Sequence, residues 1–224
     1  MLTAVLVDGA FFLHRYGVVF PDGHQHSASQ VAKALHKMAL RHCHGELYRL
    51  LYYDCPPYEK KGHHPITQRP IDFSKTPEAQ FRQSLFGELK RLRKVALRLG
   101  HLQGDLVWNI RPQRFKELLA GKLTIADLKE ADVFHDVRQK GVDIKIGVDI
   151  ASLAFKKQVN QIVLIAGDAD FVPAAKLARR EGIDFILDPM WSHVAPTLYE
   201  HIDGLMSQCP NPANLKNSAT PTNS

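Results

Sequence analysis

The segment "QIVLIAGDADFVPAAKLARREG", residues 161–182, combines an apolar run, a turn with two aspartates and an amphipathic helical pattern. The continuous apolar run predicts a strand that is covered on both faces, which is typical of parallel sheets. Asp168 and Asp170 follow this strand, and two carboxylates so close together repel each other unless a cation lies between them. The segment therefore predicts an α/β fold and a site for a positive ion.

The same pattern recurs along the chain. "TAVLVD" (3–8), "LYRLLYYD" (47–54) and "IDFILD" (183–188) are further apolar runs that end at aspartate. Helical patterns over residues 27–43, 76–100, 146–158 and 170–182 alternate with them. This alternation predicts an α/β fold with a mostly parallel central sheet covered by helices on both faces. Right-handed crossovers then bring the carboxyl ends of the strands to one edge, where ligands of such sheets bind.

Aspartates are the residues expected at that edge. Six of them end strands or begin helices: Asp8, Asp54, Asp143, Asp168, Asp170 and Asp188. Any one alone is explained as a turn former or helix cap, worth roughly 1 kcal/mol. Four or more together predict a site for a hard divalent cation, since Mg²⁺ prefers oxygen ligands. Such an ion supports hydrolysis at phosphorus without a Ser, Cys or His nucleophile.

Composition restricts the partners. The formal charge is +6 and the pI about 9.2, which permits a polyanionic partner. The three cysteines form no CxxC pair or disulfide framework. The chain lacks an apolar run of membrane-spanning length, and its first residues lack a signal-peptide pattern, so we expect a cytoplasmic protein with no membrane partner.

Three blocks of sequence resemble one protein family. They are "AVLVDGAFF", "KGVDIKIGVDIASLA" and "IVLIAGDADFVPAAKLARREGIDFIL", of which the last is the most specific. The chain resembles the NYN domain family, a branch of the PIN-like nucleases, and within it the LabA-like group. The resemblance implies a PIN-like three-layer αβα sandwich and a metal-dependent endoribonuclease.

The resemblance also implies roles for individual residues. Asp8, Asp149 and Asp168 would bind Mg²⁺ or Mn²⁺, with Asp143 and Asp170 as supporting catalytic acids. Lys140 would face the scissile phosphate. A basic loop and helix are expected to hold RNA phosphates through Lys60, Lys61, His63, His64, Arg69, Arg91, Arg93 and Lys94. Tyr58 or Trp108 is a candidate for stacking on a base, whereas Tyr52 and Tyr53 are expected in the core.

Two departures keep alternatives open. Many relatives carry Asn where this chain has Phe11, and Ser or Thr where it has Ala166. These changes remove hydrogen bonds that orient ligands, so an RNA-binding module with weak or no catalysis is the runner-up. A phosphatase of the haloacid dehalogenase type is disfavoured because Ala10 stands where its second aspartate belongs.

The expected domain organisation is simple. Residues 1–206 would form a single domain with a basic insertion at about 56–130, and residues 207–224 a disordered polar tail. RNA, single-stranded or structured, is the expected partner, and a homodimer is left open.

Overall fold

The computed structural model describes residues 1–217, apart from the side chains of residues 105–106 and 215–217. Residues 218–224 of the expected tail lie outside the described residues. The strands are β1 (Leu2–Asp8), β2 (Glu46–Asp54), β3 (Lys61–His63), β4 (Pro70–Asp72), β5 (Val95–Leu99), β6 (His101–Ile110), β7 (Val133–Lys140), β8 (Gln161–Ile165), β9 (Asp184–Asp188) and β10 (Gly204–Leu205). The helices are α1 (Gly9–Val19), α2 (Ala28–Arg41), α3 (Pro77–Arg91), α4 (Pro112–Leu119), α5 (Val142–Phe155), α6 (Val172–Arg180), α7 (Pro196–Tyr199) and α8 (Pro212–Asn217).

The central sheet has six strands in the order β10-β9-β8-β1-β2-β5, and all of its pairings are parallel. The predicted parallel sheet is thus confirmed. β1 lies in the middle, where Asp8 is in register with Tyr53 of β2. On the other side, Val7 is in register with Ile165 of β8. The carboxyl ends of these central strands therefore form one edge.

Helices cover both faces of the sheet, because the strands alternate their side chains between two cores. Val5 and Val7 of β1 pack with residues of α1, α2 and α3. Ala4 and Leu6 of the same strand pack with residues of α5 and α6 on the opposite face. The result is the three-layer αβα sandwich of a PIN-like fold. No helix among residues 1–217 is long and apolar enough to cross a membrane.

The helix predicted over residues 76–100 is shorter than expected. Thr76 caps α3 and Pro77 begins it as predicted, but the helix ends at Arg91. Lys94 then adopts a left-handed backbone with φ 61°, and residues 95–99 form the edge strand β5 beside β2. The apolar residues of this segment suit a strand as well as a helix, and tertiary pairing decides between them.

The range expected as an insertion is only partly separate from the sandwich. α3 and β5 fall within it but belong to the helical layer and the central sheet. The remainder contains the short β3–β4 hairpin, β6 and α4. β6 pairs antiparallel with β7, which follows just beyond this range.

The expected tail does not begin at residue 207. The main-chain N–H of Trp191 donates to Ser207 Oγ, and the indole N–H of Trp191 donates to the carbonyl of Cys209. Gln208 N–H donates to the carboxylate of Asp188, and Cys209 is buried. Residues 207–209 therefore pack against the body of the domain. The chain just before them forms the short helix α7 and the short strand β10.

Candidate active site at the carboxyl edge of the sheet

Asp8 lies at the centre of the carboxyl edge, where β1 ends and α1 begins. It is the N-cap of α1, and its carboxylate accepts a hydrogen bond of 3.1 Å from the Phe11 main-chain N–H. Burial raises the pKa of Asp8, and the charges of Asp143 and Asp54 raise it further, against the lowering effect of the Phe11 and Ala10 N–H groups. Burial and the neighbouring carboxylates thus disfavour the charged form of Asp8.

Asp168 and Asp170 lie at the end of the neighbouring strand, β8. Asp168 caps the 3₁₀ turn of residues 169–171, and its carboxylate accepts a 3.0 Å hydrogen bond from the Asp170 N–H. Both residues are exposed. The two acids of the opening segment therefore project from the edge of the sheet rather than into a core.

Asp143 completes the group from the first turn of α5. Burial is the largest cause that raises the pKa of Asp143, followed by the charges of Asp168 and Asp170. Asp8, Asp143, Asp168 and Asp170 are called the edge acids below. These acids repel one another. The charge of Asp143 raises the pKa of Asp8, and the charges of Asp168 and Asp170 raise the pKa of Asp143.

Asp149, expected as a metal ligand, has other partners. Its carboxylate accepts a hydrogen bond of 2.7 Å from the Tyr53 hydroxyl and one of 3.0 Å from Arg98 Nε. It contributes to neither of the raised pKa values above. Six residues separate it from Asp143, which places it about 9 Å further along α5 and on a different side of the helix. The structure therefore places Asp143, and not Asp149, with Asp8 and Asp168.

Two further acids of the expected constellation have basic side chains as partners within the fold. Arg82 donates to both carboxylate oxygens of Asp54, at 2.6 and 2.8 Å. His42 Nε2 lies 2.8 Å from the carboxylate of Asp188, and both side chains are buried. These partners come from α3 and from the end of α2. Arg82, Arg98 and His42 are functional partners that sequence reasoning missed, because nothing local to them marks the acid that each contacts.

The edge acids fit a hydrated cation better than a closed metal cage. Within residues 1–217, no three His, Cys, Asp or Glu side chains are grouped closely enough to hold a metal ion by themselves. The expected set of Asp8, Asp149 and Asp168 is therefore not assembled as a three-ligand site. Mg²⁺ keeps several waters and binds proteins through one or two carboxylates, and the carboxylate chemistry of the edge acids suits that mode.

The basic residues expected to bind RNA are divided between the carboxyl ends and the amino ends of the strands. Lys60, Lys61, His63 and Arg69 lie in or beside the β3–β4 hairpin, which follows the carboxyl end of β2. Lys140 is exposed and ends β7, just before the first turn of α5 that carries Asp143. These five residues lie toward the carboxyl ends of the strands, as the edge acids do.

The other four expected contacts are poorly placed for a shared RNA surface. His64 is buried, and its Nδ1 accepts from the N–H groups of Ile66 and Thr67. Arg91 ends α3 and is paired with Glu88 at 2.7 Å. Arg93 and Lys94 precede β5, and Lys94 Nζ donates to the Leu47 carbonyl near the start of β2. Arg91, Arg93 and Lys94 therefore lie toward the amino ends of the strands, away from the edge acids.

A cleft of about 270 Å³ lies beyond the carboxyl end of β2, where Cys55 and Arg82 line it. Its aromatic wall includes Tyr58, Phe73 and His135, with ring centroids 5.3 Å apart for Tyr58 and Phe73 and 4.9 Å for Phe73 and His135. Arg82, which holds Asp54, lines the same cleft. Tyr52 and Tyr53 are fully buried in the two cores, as predicted.

Phe11, where many relatives carry Asn, packs against the start of the acidic turn. A Cβ atom placed on Gly167 would overlap the Phe11 ring, so glycine is needed there for close approach. Phe11 also donates its N–H to Asp8. The Phe11–Gly167 contact therefore joins the end of β1 to the turn that carries Asp168.

We expect Gly167→Ala to lower the free energy of unfolding by about 1–3 kcal/mol, because the added methyl group overpacks the Phe11 ring. Urea denaturation monitored by tryptophan fluorescence measures the change. The double variant Gly167→Ala with Phe11→Leu is the control and should recover part of the loss. An additive loss in the double variant would contradict the proposed contact.

Comparison with known proteins places the chain in context. Residues 83–195, slightly more than half of the chain, match the NYN domain family. The matched range contains Asp143, Asp149, Asp168 and Asp170, and Asp8 precedes it. A solved structure of a protein of unknown function from Vibrio parahaemolyticus is similar with a TM-score of 0.46 and 14% identity, covering 92% of this chain and 91% of that chain. No curated protein matches the chain.

Proposed function

Because the chain belongs to the NYN domain family, whose members are nuclease-like hydrolases, we propose that it is a metal-dependent endoribonuclease. The observation that carries this proposal is the group of edge acids, which repel one another at the carboxyl edge of a parallel sheet. Uncompensated carboxylates there cost stability, and a ligand-binding role accounts for their retention.

The edge acids would hold the ion, which we propose to be Mg²⁺ or Mn²⁺. When bound, such an ion activates water and stabilises the charge that develops on the leaving oxygen. Asp8 is fixed by the Phe11 N–H and Asp168 by its position as a cap, so both carboxylates are oriented before any ligand arrives. Tyr53 and Arg98 hold Asp149 in α5, and in this proposal Asp149 positions the helix that carries Asp143.

RNA would approach from the side of the β3–β4 hairpin. Five basic residues lie toward the same ends of the strands as the edge acids, and their positive charges suit backbone phosphates. They are Lys60, Lys61, His63, Arg69 and Lys140. The cleft beyond the carboxyl end of β2 offers the Tyr58 and His135 rings to a splayed base. Arg91, Arg93 and Lys94, although basic, play no part in this surface.

The direct test of the function is incubation of the purified protein with end-labelled RNA. Cleavage should require Mn²⁺ or Mg²⁺ and stop when EDTA is added. An unlabelled DNA of the same sequence serves as competitor and shows whether the sugar is recognised. RNA that stays intact with Mn²⁺ and Mg²⁺ present would refute the nuclease function.

We expect Lys61→Glu to weaken RNA binding about 10-fold at moderate salt and to reduce the slope of log affinity against log salt, because one phosphate contact is lost. Arg93→Glu is the matched control, since it makes the same change of charge at the amino ends of the strands, away from the edge acids. Fluorescence anisotropy with a labelled RNA measures both. Equal weakening by the two substitutions would show that the net charge, and not this surface, governs binding.

The second candidate function is RNA binding without cleavage. It is favoured by Phe11 and Ala166, which replace the hydrogen-bonding residues of many relatives, and by the lack of a grouped three-ligand site among residues 1–217. Under this alternative, Lys61→Glu still weakens binding, but no RNA is cut with any divalent ion. The cleavage assay and the binding assay together distinguish the two functions.

A further inference from the structure

Helix α5 is apolar on two faces, and the fold covers only one of them. Its inner face, with Ile146, Ile150 and Leu153, is buried against the sheet. Its outer face carries Ile144, Val148, Ala151 and Phe155, called the outer stripe below. Ile144, Val148 and Phe155 are 73%, 60% and 61% exposed. A helix that is hydrophobic on all sides is typically buried on all sides, and residues 1–217 leave the outer stripe without a cover.

The members of the outer stripe lie on one line along the helix, because their spacings are four, three and four residues. A groove of about 390 Å³ runs beside them between α5 and α6. Gly147 and Ala151 form part of its floor, and Pro173, Ala174 and Leu177 form its far wall. The small residues leave a recess into which a larger apolar side chain from another helix fits.

The two ends of the outer stripe carry opposite charges. Asp143 lies in the first turn of α5, and Asp170 lies at the same end of the groove. Lys156 directly follows Phe155 at the other end and is exposed. The helix dipole adds positive character at the amino end and negative character at the carboxyl end. The stripe is therefore complementary in charge to a copy of itself that runs in the opposite direction.

We propose that a second copy of the chain covers the outer stripe, with the two α5 helices antiparallel about a two-fold axis. One axis between Val148 and Ala151 pairs Val148 with Ala151 of the partner subunit and Ile144 with Phe155 of the partner subunit. The same axis sets the acidic amino end of each helix beside the basic carboxyl end of its partner. This palindromic register of apolar pairs is what a self-complementary interface requires.

The chemistry of the patch argues for this occupant over a nucleic acid. The stripe and groove are mainly apolar, and the charged residues that line the groove, Asp143 and Asp170, are both acidic. The proposal does not depend on the proposed function, since the residues of the outer stripe are distinct from the edge acids.

The test is the molar mass of the full chain in solution, by sedimentation velocity over a range on the order of 1 to 100 µM. The wild-type protein should approach twice the chain mass of 25.2 kDa as concentration rises. Val148→Glu should raise the dissociation constant at least about 100-fold, because the two-fold axis introduces the buried charge twice. A wild-type chain that stays monomeric throughout, or a Val148→Glu variant that stays dimeric, overturns the proposal.

Two further variants separate this interface from others. Leu119→Glu is the matched control: Leu119 is 75% exposed on α4, and its substitution should leave the dissociation constant unchanged. Ala151→Glu should weaken the dimer about as much as Val148→Glu, because the two-fold axis sets each of these side chains against the other. A folded Ala151→Glu variant that associates as the wild type does would exclude the antiparallel register.

Discussion

Asp168→Asn should abolish RNA cleavage, lowering the rate by about 100-fold or more, because it removes a carboxylate expected to contact the ion. The substitution keeps the shape of the side chain, and asparagine is as good a cap as aspartate. The 3₁₀ turn of residues 169–171 and the contact to the Asp170 N–H should therefore persist. Folding and RNA affinity should be almost unchanged. Initial rates of cleavage of a labelled RNA, measured at saturating Mn²⁺, give the result.

The matched control for this variant is Asp22→Asn. Asp22 is exposed in the loop that follows α1, away from the carboxyl edge, and its left-handed backbone accepts asparagine readily. This control should cut RNA at the wild-type rate. If Asp168→Asn also cuts at the wild-type rate, the assignment of Asp168 to the catalytic site is wrong.

Arg82→Ala should lower the free energy of unfolding by about 3–5 kcal/mol, the largest loss of stability that we expect from a single substitution. The side chain of Asp54 has no exposed surface, and Arg82 donates to both of its oxygens. Without Arg82, a buried carboxylate keeps only the hydrogen bonds from the Cys55 N–H and the Tyr52 hydroxyl. Urea denaturation at several pH values measures the loss.

The pH dependence of this loss has a definite sign. Burial raises the pKa of Asp54, and Arg82 opposes that rise. Removing Arg82 should therefore raise the folded-state pKa further above the unfolded value. A carboxyl of this kind binds more protons in the folded state, so stability falls as pH rises between its unfolded and folded pKa values. The deficit of Arg82→Ala should be small in acid and largest at neutral pH.

The double variant Arg82→Ala with Asp54→Asn controls for lost packing. It removes the buried charge as well as its partner, so it should be more stable at neutral pH than Arg82→Ala alone. It should also lose most of the pH dependence. If the double variant is no more stable than the single one, the loss arises from packing and not from an unpaired charge.

The sequence predicts the edge of the sheet well, because strand ends are local features. An apolar run that stops at an aspartate marks Asp8, Asp54, Asp168 and Asp188 without knowledge of their neighbours. Which of these acids remain available is decided by distant partners. Arg82 is 28 residues from Asp54, and His42 is 146 residues from Asp188. No pattern within a strand or helix indicates such pairs.

The choice between Asp143 and Asp149 shows the same limit. Both lie in one block of sequence, and family resemblance alone favours Asp149 as the ligand. In the structure, the carboxylate of Asp149 accepts hydrogen bonds from Tyr53 and Arg98. Arg98 was expected on a helix, and only the pairing of residues 95–99 with β2 brings it beside α5. Because residues 95–99 were predicted to be helical, the sequence did not indicate the hydrogen bond between Arg98 and Asp149.

The most direct test of the central claim, that the edge acids form a site for a divalent cation, is calorimetric titration of the protein with Mn²⁺ in the absence of RNA. We expect wild-type protein to bind Mn²⁺ with a saturable heat. Asp8→Asn and Asp143→Asn should each weaken binding at least about 10-fold, whereas Asp22→Asn should bind as the wild type does. Undetectable binding by the wild type, or binding by Asp8→Asn and Asp143→Asn that is as tight as that of the wild type, would contradict the account.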